Sequence, residues 1–480
     1  TLMQTGPDWH SFATTAWNPE AGPVHNWSLI GPMELLDLNH LPLNWMTPEY
    51  ADFQWANAAV TVPFVPPAKN KTLVTQVCAR RGITTAILPT YQPRSIDLLA
   101  STSFTPTLLE VGSLSPDRML LQPDLTKKQA EFTLQVLHPI VFTVEALSLN
   151  AGEKITNTIQ LDRRALTWFP AGDTRPDVWV GLLPVDPGLH TLTNQNVAAY
   201  PVLNVFTEGL QFTPSPIVQG IEPGYRMLLS EPIPDPTVVQ TLSGKGIQVR
   251  VNQTPAYLVL ELPRIVHGRL TAEVLGPPGT LIDIGWDEKL YQDTAGTVAR
   301  PLPLPGTMHP NWSQVDSWIL DGNYRELTTL DARTGRYILI TIWGNGPVEL
   351  HNLQVAEEQY PVTPRGILTT SSERLNQIWQ VGVATAQLNL LDAYADPWRE
   401  RGQWWGDAFI ADRTTRVAFG DMALLRRGLL YMADGFQNGK PVGLAPNGDG
   451  NHMWDYGMLW VQSLDDYATL TEDQALVSRV

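Results

Sequence analysis

The stretch T363-PRGILTTSSERLNQIWQVGVATAQLN-LL391 decides the architecture, because at this point the periodicity of the chain changes. Thr370 followed three residues later by Glu373 reads as a capping box. Leu375, Ile378, Trp379, Val383, Ala386 and Leu390 then recur at the spacing of one helical face. An amphipathic helix is predicted to begin here. A second is predicted after Asp421, with Met422, Leu425, Leu429 and Ala433 on one stripe, and a third from about Trp454 through Leu459, Leu464 and Ala468.

Upstream the period is two. E131-FTLQVLHPIVFTVEALS-L149 alternates apolar and polar residues. G268-RLTAEVLGPPGTLIDIGWDEK-L290 sets a Pro-Pro-Gly turn between two apolar, β-branched runs, and R333-TGRYILITIW-G344 repeats the pattern. Short strands at this spacing point to β-sandwiches. The expected organisation is therefore multi-domain: one sandwich region over 1–235, with a soft boundary, a second over 236–362, and an all-α region over 363–480. Two or three helices with apolar stripes cannot bury those stripes alone, so the last region is expected to be an incomplete part of a larger helical domain.

Composition narrows the partners. The 480 residues carry a net charge of −16, which disfavours nucleic acid and anionic membrane, since affinity for either comes mostly from Lys and Arg displacing counterions. No apolar run approaches the ~20 residues of a membrane span. Cys78 is the single cysteine, so no intrachain disulfide forms, and neither compartment nor oligomeric state follows from the sequence. His351 and His452 show no metal-ligand spacing, and neither metal nor cofactor is expected. Seventeen tryptophans are more than packing requires at this length, and a flat apolar face with one donor suits a sugar.

The chemistry is expected in D396-PWRERGQWWG-D407. Glu400 lies between Arg399 and Arg401, with Asp396 four residues before it and Asp407 seven after. Two carboxyls, one protonated and one ionised, are the minimum for cleaving a glycosidic bond. Nearby indoles retain a carboxyl proton by desolvation, adjacent arginines act the other way, and the balance is not legible from sequence. Trp404 and Trp405 offer apolar faces, and Gly406 lets the backbone approach closely. The alternative is a solvated loop end whose tryptophans belong to the core.

The segment P397-WRERGQWWGD-A408 resembles the signature of family-78 glycoside hydrolases, the α-L-rhamnosidases, whose pattern runs D-C-P-x-R-E-R-x-G-W-x-G-D. Pro397, Arg399, Glu400, Arg401, Trp404, Gly406 and Asp407 fall on matching positions without a gap. The resemblance extends to 259–290 and 333–344, similar to the family's sandwich before the barrel, and to 39–60, similar to its N-terminal sandwich. Segment 453–473 is similar to a barrel helix presenting an aromatic–Asp pair, here Trp454 and Asp455. It implies a rhamnosidase N-terminal-like sandwich region, a concanavalin-like sandwich and the first part of an (α/α)6 barrel. It also implies an exo-acting, inverting enzyme that releases terminal α-L-rhamnose without a cofactor. Glu400 would be the general acid. Asp396, Arg399, Asp407, Trp454 and Asp455 would bind substrate, and Trp404 and Trp405 would wall the pocket. The general base lies late in the barrel in relatives, and is expected beyond Val480. Two departures stand out: the family's Asp-Cys is here Ala395-Asp396, and its Leu-Gly is Gly402-Gln403. The first opens the alternative of a different terminal sugar. A carbohydrate-binding protein without catalysis is the alternative from another class.

Overall fold

The structure is a computed structural model that describes residues 10–17, 34–47, 49–57, 102–122, 128–149, 155, 157–172, 177–200, 202–206, 209–211, 225–243, 246–251, 255–288, 315–398, 401–436, 438–445 and 452–480. Cys78 lies outside them. The chain divides into two compact units. One comprises Thr14–Leu43 and Ser103–Ala356; the other comprises Thr1–Ala13, Asn44–Thr102 and Glu357–Val480.

The first unit is built of sheets. Its principal strands are β1 (Leu35–Asp37), β2 (Thr107–Gln122), β3 (Ala130–Val136), β4 (Ile140–Leu147), β5 (Ile159–Leu161), β6 (Val178–Val185), β7 (Gly188–Asn194) and β8 (Val202–Phe206). They continue with β9 (Tyr225–Pro234), β10 (Gly246–Val251), β11 (Ala256–Leu275), β12 (Leu281–Asp287), β13 (Val315–Ile319), β14 (Arg333–Trp343) and β15 (Gly346–Glu357). A large sheet runs in the order β6-β4-β8-β2-β11-β14-β12-β13-β1, and β3, β7 and β5 form the middle of a smaller one.

The alternation read in 131–149 is real. Phe132, Leu134 and Val136 of β3 point inward while Glu131 and Thr133 face solvent; the chain turns at His138-Pro139, and Phe142, Val144 and Ala146 of β4 are buried in turn. The two strands belong to different sheets, and their inward rows meet in one core with Leu161, Leu183, Leu192, Leu203 and Val205. That is a sandwich: each sheet buries one face against the other. A second core gathers Val249, Val251, Leu258, Leu260, Ile284, Ile340, Ile342, Val348 and Leu350.

The Pro-Pro-Gly turn holds a surprise. Gly279 has φ +80, the left-handed conformation that favours glycine. Yet β11 and β12 on either side of the turn are not neighbours, because β14 is inserted between them, paired with both. β9 and β11 both pair with β2, so backbone pairing continues across position 235.

A buried ionic cluster ties β1 in place. Glu34 accepts from Trp17 Nε1 at 2.9 Å and from Leu330 N at 2.8 Å, and its own N donates to Asp316 Oδ1 at 2.9 Å. Asp316 is fully buried and is gripped by Arg333, whose Nε and Nη2 donate at 2.9 and 2.6 Å. Arg333 also reaches Asp331 at 3.2 Å. Burial, reinforced by the Asp316 charge, raises the Glu34 carboxyl to about 7 against the hydrogen bonds it accepts.

In the second unit the described helices are α1 (Glu373–Leu388), α2 (Trp405–Phe419), α3 (Ala423–Gly435), α4 (Trp454–Thr471) and the single turn α5 (Gln474–Val477). Their core holds Leu390, Tyr394, Trp405, Phe419, Leu424, Leu425, Leu429, Met432, Trp460 and Tyr467. α3 buries Leu425, Leu429 and Ala433 as its stripe predicted, and Asp421 Oδ1 accepts from the N–H groups of Ala423 and Leu424.

Three expectations are corrected. The N-cap of α1 is Ser372, whose hydroxyl accepts from Leu375 N, and not Thr370. Thr370 Oγ1 is engaged with Asn376 and with the backbone of Ser372. The stripe of α1 is not buried at its N-terminal end, where Leu375 and Ile378 are exposed. On α4 the fully buried row is Gly457, Trp460, Ser463 and Tyr467, one position off the row Leu459, Leu464 and Ala468, which is half-buried.

Candidate functional site

α2 opens at Trp404, its N-cap residue, directly after the charged stretch. Trp405, Ala408, Asp412, Thr415 and Phe419 are buried at helical spacing, and the helix stops at Gly420 with φ +65. α4 packs on α2 and opens at Met453. Neither N-terminus has a side-chain cap hydrogen bond. Each carries an acidic residue in its first turn instead, Asp407 and Asp455, where the helix dipole favours negative charge. Both aspartates are exposed. Asp455 sits inside the helix rather than at its N-cap.

Local packing brings the two openings together. The segment Pro441–Ala445 runs between them: Trp405 N donates to Gly443 O at 3.0 Å, Trp404 bridges to Leu444, and His452 Nδ1 lies 3.2 Å from Pro441 O. Tyr456, from the first turn of α4, meets Trp404 edge to face at 6.5 Å and 82°. It also lies over Gly406, where an added Cβ would stand 2.5 Å from the ring. That proximity gives Gly406 its reason. A Cβ at Gly443 would likewise press on Met453 at 2.6 Å and on Trp404 at 3.3 Å.

The predicted residues fall out as follows. Trp404, half-buried, and the exposed Asp407, Trp454 and Asp455 lie on or beside these two first turns. Trp405 does not line a surface: it is fully enclosed in the core, packed near Gly428, so the expectation that it walls a pocket is corrected. Asp396 accepts from Trp398 N at 2.8 Å, closing a turn on itself, and its backbone O accepts from Arg401 N at 3.1 Å. Ala395, at the family's aspartate position, is buried. Arg401 adopts φ +51 and its Nε donates to Pro397 O. Arg399 and Glu400 lie outside the described residues.

Sequence reasoning missed Tyr456, although it directly follows the aromatic–Asp pair it singled out. It also missed Asp412, a fully buried carboxyl raised to about 6, chiefly by burial and against the pull of Arg416. Tyr394, buried nearby, is held well above the usual phenol range by the same cause and by the Asp412 charge. Among the described residues no group of three or more His, Cys, Asp and Glu is placed to hold a metal, and no helix is long and apolar enough to cross a membrane.

Residues 364–479 match the family model of the bacterial α-L-rhamnosidase six-hairpin glycosidase domain. Among solved structures, the GH78 family rhamnosidase of Bacillus sp. GL1 superposes on 99% of this chain and 55% of its own, at 16% identity and a TM-score of 0.67. The chain thus shares that fold and spans about half the length of the protein it matches. A rhamnosidase from Klebsiella oxytoca with rhamnose bound aligns over 52% of this chain and 49% of its own, at 19% identity and a TM-score of 0.40. No curated protein matches the sequence significantly.

Proposed function

Because the segment 364–479 is α-L-rhamnosidase-like by its family model and the chain has the fold of a GH78 rhamnosidase, we propose that this protein takes part in hydrolysing terminal α-L-rhamnosides by inversion. The observation that carries the reading is that the family segment contains the paired first turns of α2 and α4 with Trp404, Asp407, Trp454, Asp455 and Tyr456. Indole and phenol rings present apolar faces to a deoxysugar, and the two exposed carboxylates accept from its hydroxyls. Glu400, with Arg399 beside it, is assigned as general acid for the leaving oxygen. Inversion then requires a second carboxylate to activate water on the opposite face of the ring.

Residues 363–480 are assigned as the first part of an (α/α)6 barrel, supported by the exposed apolar side chains of Leu375, Ile378, Ile410, Val417, Met458 and Val461 on its helices. The division of the remainder into 1–235 and 236–362 is kept as part of this proposal.

Replacing Glu400 by Gln tests the reading. Turnover of an unactivated rhamnoside should fall by about 10² to 10⁴, the usual contribution of a general acid. A nitrophenyl rhamnoside should lose less, since its leaving group needs little protonation. Equal loss on both, or none, overturns the assignment. A second reading keeps the chemistry and changes the sugar. It is favoured by the buried Ala395 at the family's aspartate position and by the engagement of Asp396 with Trp398 N. A panel of nitrophenyl glycosides separates the two.

A further inference from the structure

Beyond their first turns, α2 and α4 are joined by a charged seam. Arg413 Nη2 donates to Asp466 Oδ2 of α4 at 2.9 Å, and Arg416 Nη2 donates to the same oxygen at 3.1 Å. Arg416 Nη2 also lies 2.9 Å from Asp412 Oδ2, out of line for a hydrogen bond. One guanidinium is thereby divided between two carboxylates on facing helices. Asp412 is fully enclosed while Asp466 is partly open.

Around Asp412 further polar groups are buried without a hydrogen-bond partner. They are both its own oxygens, Arg416 Nε, and the Tyr394 hydroxyl from the loop before α2. A native interior leaves few polar atoms without protein partners, and in these low-dielectric surroundings the charges of Asp412, Arg416 and Asp466 weigh heavily on one another. With Asp412 ionised, it competes with Asp466 for Arg416. With Asp412 protonated, Arg416 belongs to Asp466 alone and the new O–H can donate to a neighbouring oxygen. We propose that Asp412 and Asp466 are positioning residues for the reaction proposed above: by sharing Arg416 they set how the first turns of α2 and α4 stand to each other, and a proton on Asp412 shifts that share. The link to the reaction rests on the proposed function. The coupling stands on the seam itself.

The charged groups that bear on Asp412 are Arg413 and Arg416 from its own helix and Asp466 from α4. Asp421 and Tyr360 act with it on Tyr394. Burial is the largest influence and places the titration of Asp412 near pH 6.

Hydrogen exchange on the full chain from pH 5 to 8 reads the coupling. Amides 408–410 and 457–459, the first in each helix to be hydrogen-bonded within it, should share an inflection near pH 6, which Asp412→Asn removes and Asp412→Glu retains. Asp466→Asn should speed exchange at both first turns by about tenfold or more, as expected for a lost charge-assisted hydrogen bond, while the amides of α3 stay protected. An unchanged inflection in Asp412→Asn, or loss of protection spread evenly over all helices, overturns the proposal. Should Asp412→Asn fail to fold, carboxyl-carbon NMR of the wild type decides, and an Asp412 midpoint below about 4.5, close to an ordinary aspartate, overturns it. Titration with methyl α-L-rhamnopyranoside should show affinity following the same inflection. Binding without that inflection, where exchange has one, overturns the link to the site. Absence of binding at every pH overturns the functional reading and leaves the coupling to the exchange data.

Discussion

Replacing Glu34 by Gln should reverse part of a pH dependence built into the sheet unit. Glu34 is held between Trp17, Leu330 and the Asp316–Arg333 pair, and its carboxyl is raised from 4.5 to about 7, first by burial and then by Asp316. Between those values the native protein keeps a proton that the unfolded chain has lost. Unfolding then releases a proton, and stability falls as pH rises through this window. At 1.36 kcal/mol per unit, the full effect is about 3 kcal/mol by pH 8. Glutamine is uncharged throughout, so its curve lacks this slope. Its carbonyl oxygen can accept from only one of the two N–H donors and its NH2 faces the other, which costs about 1–3 kcal/mol at any pH. The informative quantity is therefore the change in the mutant-minus-wild-type difference. Since part of the effect is already present at pH 5, urea unfolding at pH 5 and pH 8 should show the Glu34→Gln variant gaining about 2.5 kcal/mol on wild type between the two. A difference that stays constant within about 1 kcal/mol would mean that Glu34 is ionised across the range, and the reasoning from burial fails.

Two further predictions follow from local geometry. Gly406→Ala should cost about 1–3 kcal/mol by overpacking and displace Tyr456 from Trp404, because the new Cβ would stand 2.5 Å from the Tyr456 ring; near-ultraviolet circular dichroism should report the lost edge contact, and an unchanged spectrum and stability refute the close approach. Ser372→Ala should destabilise α1 by about 1 kcal/mol through loss of its N-cap, and Glu373→Gln by only a few tenths, since that residue closes no capping box here and loses only its favourable charge on the helix dipole; a Glu373→Gln loss as large as that of Ser372→Ala, measured by chemical denaturation, refutes the cap assignment.

What the sequence made legible was whatever its apolar pattern alone decides. β3 and β4 were readable because Phe132, Leu134, Val136, Phe142 and Val144 obey a strict period of two, and α3 because Leu425, Leu429 and Ala433 are both apolar and buried. α2 was not recognised because its buried row, Trp405, Ala408, Asp412, Thr415 and Phe419, contains two polar residues that break the apolar period. On α4 the innermost positions are Gly457 and Ser463, small residues that bring Pro441 and α2 close but weigh nothing in a hydrophobic count. Trp404 and Trp405 are consecutive, hence about 100° apart around a helix start. Composition cannot say which one turns to the core, and the backbone pairing of Trp404 with Leu444 settles it. The α1 cap was misread because four hydroxyl residues, Thr369 to Ser372, precede Glu373, and Asn376, which draws Thr370 aside, has no place in the capping pattern.

The insertion of β14 between β11 and β12 has a consequence for the way this chain can be made and cut. The residues on either side of the Pro-Pro-Gly turn reach the ribosome exit early, yet both long backbone edges stay open until Arg333–Trp343 has been synthesised. Closing that gap late in translation slows assembly, as long-range pairings do, and leaves two adhesive edges waiting meanwhile. A truncation ending near residue 330 should accordingly aggregate, whereas one ending just past β15 keeps every strand of the central sheet with its partner.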